Sequence, residues 1–359
     1  MRITFVIPKD DLAGGIRVVS IYAERLTRRG HDVVVVVPAD NRPSLPTKIR
    51  SFMAGRGWPK VSGPGPSYFS SHPTRLLKLD CARPVTEADV PDADVIVATW
   101  WETAEWISQF APSKGKKVYF IQHHEVFAHL PIERARKTYR LPFKKVVISR
   151  WLQDIMRDQY GDRDVALIPN SVDTRQFFSE PRLKQSVPSV GFVYSRVEFK
   201  GADVILEALS KVRQEAPQLR VLAFGAELPV PERPLPAWVE FKYRPAQDEM
   251  RKIYSSCDVW LCGSRSEGFY LPMLEAMACR CPVVSTKVGG PIDNIEDGTN
   301  GYLANIEDAA ALAARTLQVL RLNELDWETM SQAALSTAEK YTWDDATDSL
   351  EIVFRQLCQ

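Results

Sequence analysis

The sequence predicts an α/β protein built from two doubly wound domains, each with a parallel sheet at its centre. Three observations carry this. Short runs such as DVVVVV at 32–37 are apolar throughout, as strands covered on both faces of a sheet are. A helix-length segment follows most of these runs, and the β–α rhythm occurs in both halves of the chain. Between the halves, 180–188 is polar and carries Pro181 and Pro188, the composition of a linker. The expected boundaries are 1–179 for the first domain and 189–341 for the second, facing each other across a cleft.

The bulk properties agree with a globular protein. A chain of 359 residues is long enough for two cores. Lys and Arg number 46 against 45 Asp and Glu, a net charge of +1, which excludes a globally basic nucleic-acid binder. The first residues, MRITFVIPKDD, hold an apolar run that ends at Pro8, too short for a signal peptide or a membrane span. A cytoplasmic protein is expected, with no nucleic acid among its partners.

In chain order, 2–8 reads as a strand, 16–29 as a helix and 32–37 as a strand, the first βαβ unit. Gly14 and Gly15 sit at the carboxyl end of the first strand. They lack the G-x-G-x-x-G spacing, so they allow either a close backbone approach to a ligand or a plain turn before the helix. Residues 41–80 carry six prolines, four glycines, seven basic residues and one acidic residue, and read as a long loop or insertion with little regular structure. The strand at 94–99 ends at Trp100 and Trp101, which form either a wall for a sugar ring or core packing. The strand at 117–121 runs into Gln122-His123-His124-Glu125, where a histidine that hydrogen-bonds a substrate hydroxyl is expected. Residues 133–150 hold seven basic residues and one acidic one. They form either a solvated helix face or a surface for anionic lipid or a phosphorylated acceptor.

The second half begins with a strand at 189–194 and the loop SRVEFKG. Arg196 and Lys200 lie there at a strand's carboxyl end, where a diphosphate is matched by the Arg fork and the Lys point charge. Alternating elements follow at 202–215 (helix), 220–224 and 239–243 (strands) and 247–255 (helix). The strand at 258–262 leads into a glycine-bearing loop and a helix opening at Pro272. The backbone N–H groups of Gly268, Phe269, Tyr270 and Leu271 therefore gather at a helix N-terminus, an anion site. Glu267 and Glu275 flank it, which suits a ligand that is both phosphate and polyol, such as a sugar nucleotide.

Cysteines at 81, 257, 262, 279, 281 and 358 match neither a secreted disulfide framework nor a zinc signature, and several read as small buried hydrophobes. No metal is expected.

Together these motifs resemble the retaining glycosyltransferases of family 4, which have the GT-B fold of two facing Rossmann-like domains. The likeness rests on R-x3-K-G at 196–201, Glu267-GFYLPML-Glu275, EAMAC, PVVST, VGGPIDNI and DGTNGYL, with PNSVD and YTWDDATDSL outside that block. It implies that the C-terminal helix, about 342–359, packs back onto the first domain. It implies that Glu275 binds the nucleotide ribose and Glu267 the transferred sugar. Arg196 and Lys200 would hold the diphosphate, aided by Gly14, Gly15 and the N–H groups of 268–271. His123 matches the family's N-domain histidine, with His124, Glu125, Trp100 and Trp101 as further acceptor or sugar contacts. The sequence departs from the family pattern at Arg280 and Ser171, where glycine is usual, and at Asp293, where glutamate is common.

The function expected is sugar transfer, with retention, from a nucleotide-diphosphate sugar to a glycan, lipid-linked or small-molecule acceptor, in envelope polysaccharide or glycoconjugate assembly. No cofactor is expected, and membrane contact would run through 133–150 and 41–80. The rival readings are a sugar-nucleotide epimerase, which converts the sugar without an acceptor, and a non-catalytic binder, which would survive Glu267→Ala unchanged.

Overall fold

The computed structural model describes residues 1–40, 67–70 and 72–359, so most of the proline-rich 41–80 stretch lies outside the described residues. Two compact units emerge: Met1–Val147 with Ile155–Ile168 and Thr347–Gln359, and Ile148–Asp154 with Pro169–Ala346.

The first unit holds a seven-stranded parallel sheet in the order β3-β2-β1-β4-β5-β6-β7. Its strands are β1 Arg2–Val6, β2 Asp32–Val37, β3 Arg75–Lys78, β4 Val95–Ala98, β5 Lys116–Ile121, β6 Lys144–Val147 and β7 Val165–Leu167. The central strands are buried on both faces, which is why they read as continuous apolar runs. Within 41–80, where little regular structure is expected, the described residues hold one strand, β3. It is a four-residue edge strand, Leu76 and Leu77 between two cations, paired with β2 from Val34↔Arg75 to Val37↔Lys78. Short edges with charged ends look like loop in sequence. The helix Trp101–Ile107 after β4 was likewise unforeseen.

The second unit holds a six-stranded parallel sheet, β10-β9-β8-β11-β12-β13. Its strands are β8 Ser189–Val193, β9 Arg220–Gly225, β10 Val239–Tyr243, β11 Val259–Cys262, β12 Val283–Thr286 and β13 Gly301–Ala304. The polar 180–188 stretch is anchored on this unit rather than running loose. The Lys184 ammonium donates to the Leu320 and Leu322 carbonyls, both at 2.7 Å. The Gln185 N–H reaches buried Asp258 at 2.7 Å, and the Arg182 guanidinium stacks over Trp327 at 4.6 Å. The chain therefore passes between the units near Ile168, ahead of the expected linker.

The C-terminal helix Trp343–Cys358 contributes its later turns to the first unit. Leu350 and Phe354 are buried, and Glu351 accepts from Arg29 Nη1 at 2.6 Å and from His31 Nε2 at 2.7 Å. Burial opposes its ionisation, yet Arg29, His31 and Arg355 bring the Glu351 carboxyl down to about 2 from an ordinary 4.5. A carboxyl depressed by folding stabilises above its unfolded pKa, and that contribution is lost as pH falls from 4.5 towards 2. Glu351→Gln is expected to cost about 1–2 kcal/mol at neutral pH, allowing for screening, and to flatten the acid limb of stability over that window. Thermal melting from pH 7 down to 3 checks both; an acid limb identical to the wild type's would refute the assignment.

Among the described residues no helix is long and apolar enough to cross a membrane.

Candidate active site

In each sheet the strand order reverses beside the first strand: between β1 and β4, and between β8 and β11. Doubly wound sheets bind ligands outside the carboxyl ends of the strands at such points. The expected residues of the second unit lie on the two loops at its reversal, after β8 and after β11, and on the helix Leu271–Ala278 that follows the second.

There the structure brings Lys200 and Glu267 together. Lys200 Nζ donates to both carboxylate oxygens of Glu267, at 2.9 and 2.8 Å. Ser264 Oγ donates to Glu267 Oε1 at 2.8 Å, so a carboxylate only 4% exposed is held on three bonds. The two loops touch through glycine. Gly201 sits at φ 61°, and a Cβ there would lie 1.9 Å from the Gly263 carbonyl oxygen. Gly289, at φ 30°, lets the following helix, Gly289–Asn294, press against the Glu267 carbonyl, 2.2 Å from where a Cβ would stand. Neither approach tolerates a side chain.

Helix Leu271–Ala278 starts one residue before the expected Pro272. Tyr270 precedes it in left-handed backbone, φ 70°, an unusual state for an aromatic residue. Its hydroxyl donates to the Leu261 carbonyl and accepts from Trp260 Nε1, both at 3.2 Å, which ties the loop to β11. Pro272 carries no N–H, and the Met273 N–H donates to the Tyr270 carbonyl at 3.1 Å, so an anion at this end would meet the backbone of the preceding loop rather than the helix's own first turn. Phe269 packs into the interior, 3% exposed. Glu275 points inward, 3% exposed, and Tyr254 donates its hydroxyl to Glu275 Oε2 at 2.7 Å. Tyr254 lies against Trp260 with ring centroids 4.4 Å apart, so the carboxylate is positioned by a rigid aromatic group that sequence reasoning missed.

Arg196 is on the same loop as Lys200 but is bonded elsewhere: its Nε donates to the Leu228 carbonyl at 2.7 Å, and the side chain is exposed. The adjacent cation that braces the loops is Arg265, also missed. It forks onto Asp203 at 3.0 and 2.8 Å, bonds Glu307 at 2.8 Å and donates to the Glu198 carbonyl at 2.8 Å. The Arg265 guanidinium in turn holds the Asp203 carboxyl below its usual range.

Arg280, where the resemblance leads one to expect glycine, has φ 59° just past the helix end. Its side chain donates to the Ser179 carbonyl at 3.2 Å and to Gln332 Oε1 at 2.7 Å. Arg280→Ala loses these bonds and keeps the strain, while Arg280→Gly loses the bonds but relieves it. The glycine variant is expected to be more stable than the alanine variant by about 1 kcal/mol in urea unfolding. Equal midpoints would contradict this. At Ser171 the hydroxyl donates to the Tyr341 carbonyl at 2.6 Å, a bond glycine cannot make. Asp293 accepts the Arg150 N–H at 2.8 Å.

In the first unit, Gly14 and Gly15 open the helix Gly14–Arg28 that follows β1, two residues ahead of the expected start, and His123 lies on the loop after β5, with Gln122 beside it. Gln122 Nε2 donates to the Gly15 carbonyl at 3.1 Å, while its Oε1 is buried without a partner among the described residues. Such an acceptor suits a ligand hydroxyl, and sequence reasoning passed over it. A Cβ on Gly14 would meet nothing within 4 Å. His123 is half-buried, and its Nδ1 donates to the His124 carbonyl at 3.1 Å, which leaves the lone pair of the neutral ring on Nε2.

Three expected contacts belong to the interior instead. His124 is 8% exposed, bonded through Nε2 to the Tyr160 hydroxyl at 2.8 Å, and burial lowers its pKa to about 4, with His123 and Arg136 adding to the effect. Glu125 is 1% exposed, and burial pushes its carboxyl well above the carboxylate range. It accepts the Trp101 N–H at 2.8 Å and so caps the helix after β4. Trp101 is buried, 2% exposed, beneath the Arg134 guanidinium at 5.1 Å, which resolves it as core packing. Trp100 is half-exposed.

Two Rossmann-like units with ligand-directed loops at each reversal define the GT-B class of fold. A solved structure of Anabaena HepE in complex with UDP and glucose matches it with a TM-score of 0.74, over 99% of this chain and 100% of that one, at 16% identity. Residues 13–176 match the family described as Glycosyltransferase Family 4, and residues 187–321 the family described as Glycosyl transferases group 1. The chain belongs to the family 4 type of glycosyltransferases. It is similar to an uncharacterized glycosyltransferase of Methanocaldococcus jannaschii, 25% identical over 219 residues, 60% of each protein. It is also similar to a D-inositol 3-phosphate glycosyltransferase of Mycobacterium marinum, 28% identical over 202 residues, 51% of this chain and 41% of that protein. The matches thus span less than two thirds of these relatives' length.

Proposed function

We propose that the chain transfers a sugar, with retention, from a nucleotide-diphosphate donor to a glycan, lipid-linked or small-molecule acceptor in envelope polysaccharide or glycoconjugate assembly. The observation that carries this is the buried Glu267 carboxylate held by Lys200 and Ser264 at the sheet's reversal point. Glu267 would accept from sugar hydroxyls, and Glu275, oriented by Tyr254, from the ribose. Lys200, Arg196 and the backbone N–H groups of Gly268, Phe269, Tyr270 and Leu271 would take up the charge of the diphosphate. The anomeric carbon–oxygen bond breaks towards the diphosphate. The acceptor oxygen bonds that carbon on the same face, and its proton passes to the departing phosphate. His123 would present Nε2 to a donor-sugar or acceptor hydroxyl. No metal has a role in this scheme.

The Anabaena protein of similar fold was solved with UDP-glucose, which makes uridine sugars the first donors to try. The purified protein, incubated with UDP-, GDP-, dTDP- and ADP-sugars, should release one nucleotide faster when an acceptor is added. Product NMR should show the donor's anomeric configuration kept. Inversion would remove the retaining assignment, and no binding of any sugar nucleotide by folded protein would remove the reading itself.

A further inference from the structure

Away from the loops at the sheet reversals, the first unit carries a cavity of about 410 Å³ lined by Glu133, Arg136, Lys137, Arg140, Gln159 and Tyr160. It lies between the helices Ile132–Thr138 and Arg150–Tyr160. Arg136 and Lys137 occupy the last turn of the first of these, where cations complement the helix dipole. Arg140 lies beyond that helix, and its guanidinium sits over the Tyr160 ring at 5.0 Å. The three cations therefore surround one concavity instead of spreading along a face. Among the described lining residues Glu133 alone is acidic, with one bond to Arg136 Nη1 at 2.9 Å, and the four charged side chains are exposed at the mouth. Tyr160 is half-buried in the wall, and its hydroxyl bonds His124, the residue next to His123.

We infer that this cavity binds a phosphate monoester, the phosphate group of the acceptor, through Arg136, Lys137 and Arg140. Two guanidinium forks and one ammonium around a concave site match a doubly charged phosphate rather than a neutral glycan. The inference rests on the glycosyl-transfer reading only for what the phosphate is attached to. Occupancy would register the acceptor through the chain Tyr160–His124 beside His123, so its loss should raise KM for a phosphorylated acceptor more than it lowers kcat.

The test is titration calorimetry with inorganic phosphate and with glucose 6-phosphate. The Lys200→Ala protein is used, so that the proposed diphosphate anchor does not contribute. Both should bind, glucose should not, and affinity should fall with added salt. Adding Lys137→Ala and Arg140→Gln should weaken phosphate binding about tenfold or more, with the melting temperature as the folding control. Equal affinity in that variant overturns the proposal. So does binding confined to phosphatidylcholine–phosphatidylglycerol vesicles, which would make the face a membrane surface. Nucleotide binding by the otherwise wild-type protein is measured separately; if it fails while phosphate binding persists, the donor reading falls and this site stands.

Discussion

Lys200→Ala is expected to lower nucleotide release from the donor roughly 10- to 150-fold, the effect of losing about 1.5–3 kcal/mol of charge-assisted bonding. The lysine's two bonds to Glu267 are the main hold on a carboxylate that is 4% exposed, and Ser264 alone then remains to it. The same ammonium would meet the leaving diphosphate, so most of the loss should fall on kcat. Glu267→Gln should cost a similar factor. The double variant should be little worse than either single one, because the two side chains act as a unit. Lys200→Ala turning over within twofold of wild type would remove Lys200 from the leaving-group role.

Gly201→Ala is expected to be the most damaging single methyl in the second unit, at about 3 kcal/mol or more. The added carbon would lie 1.9 Å from the Gly263 carbonyl oxygen, a backbone atom that cannot rotate away, and φ is 61°. Because Lys200 is the preceding residue, turnover should fall with stability. Gly14→Ala is the contrast: nothing stands within 4 Å of its Cβ, so stability should change by less than about 1 kcal/mol. Urea midpoints of the two variants decide the matter; a Gly201→Ala midpoint equal to wild type would show that the loops move apart freely.

Most of both sheets was legible because a parallel strand buried on both faces cannot be disguised: DVVVVV admits little else. Arg75–Lys78 was not, since four residues with charged ends carry too little pattern. In the site, the order of Arg196, Lys200, Glu267 and Glu275 pointed to one ligand. What each touches was hidden, because the partners are distant in sequence. Lys200 meets a carboxylate 67 positions on, and Tyr254 lies 21 before Glu275. The misreading of Glu125 is instructive. A carboxylate after a strand in a doubly wound sheet looks like a ligand group, but here the unforeseen helix Trp101–Ile107 needed its first N–H satisfied. Arg265 escaped notice for the opposite reason, since a cation in a polar loop gives no hint that the 198–203 stretch and Glu307 converge on it.

The first unit is completed by Thr347–Gln359, with Glu351 tied to residues about 320 positions earlier in the chain. During synthesis, its sheet emerges from the ribosome long before the C-terminal helix that ties to Arg29 and His31. At roughly 5–20 residues per second, the intervening second unit takes on the order of 10–40 s to translate. Through that interval Arg29 and His31 of the nascent first unit wait without the Glu351 carboxylate that later binds both. Appending residues 343–359 directly after Ile168 through a flexible tether would shorten the wait, and should raise the yield of the isolated first unit over the same segment without them.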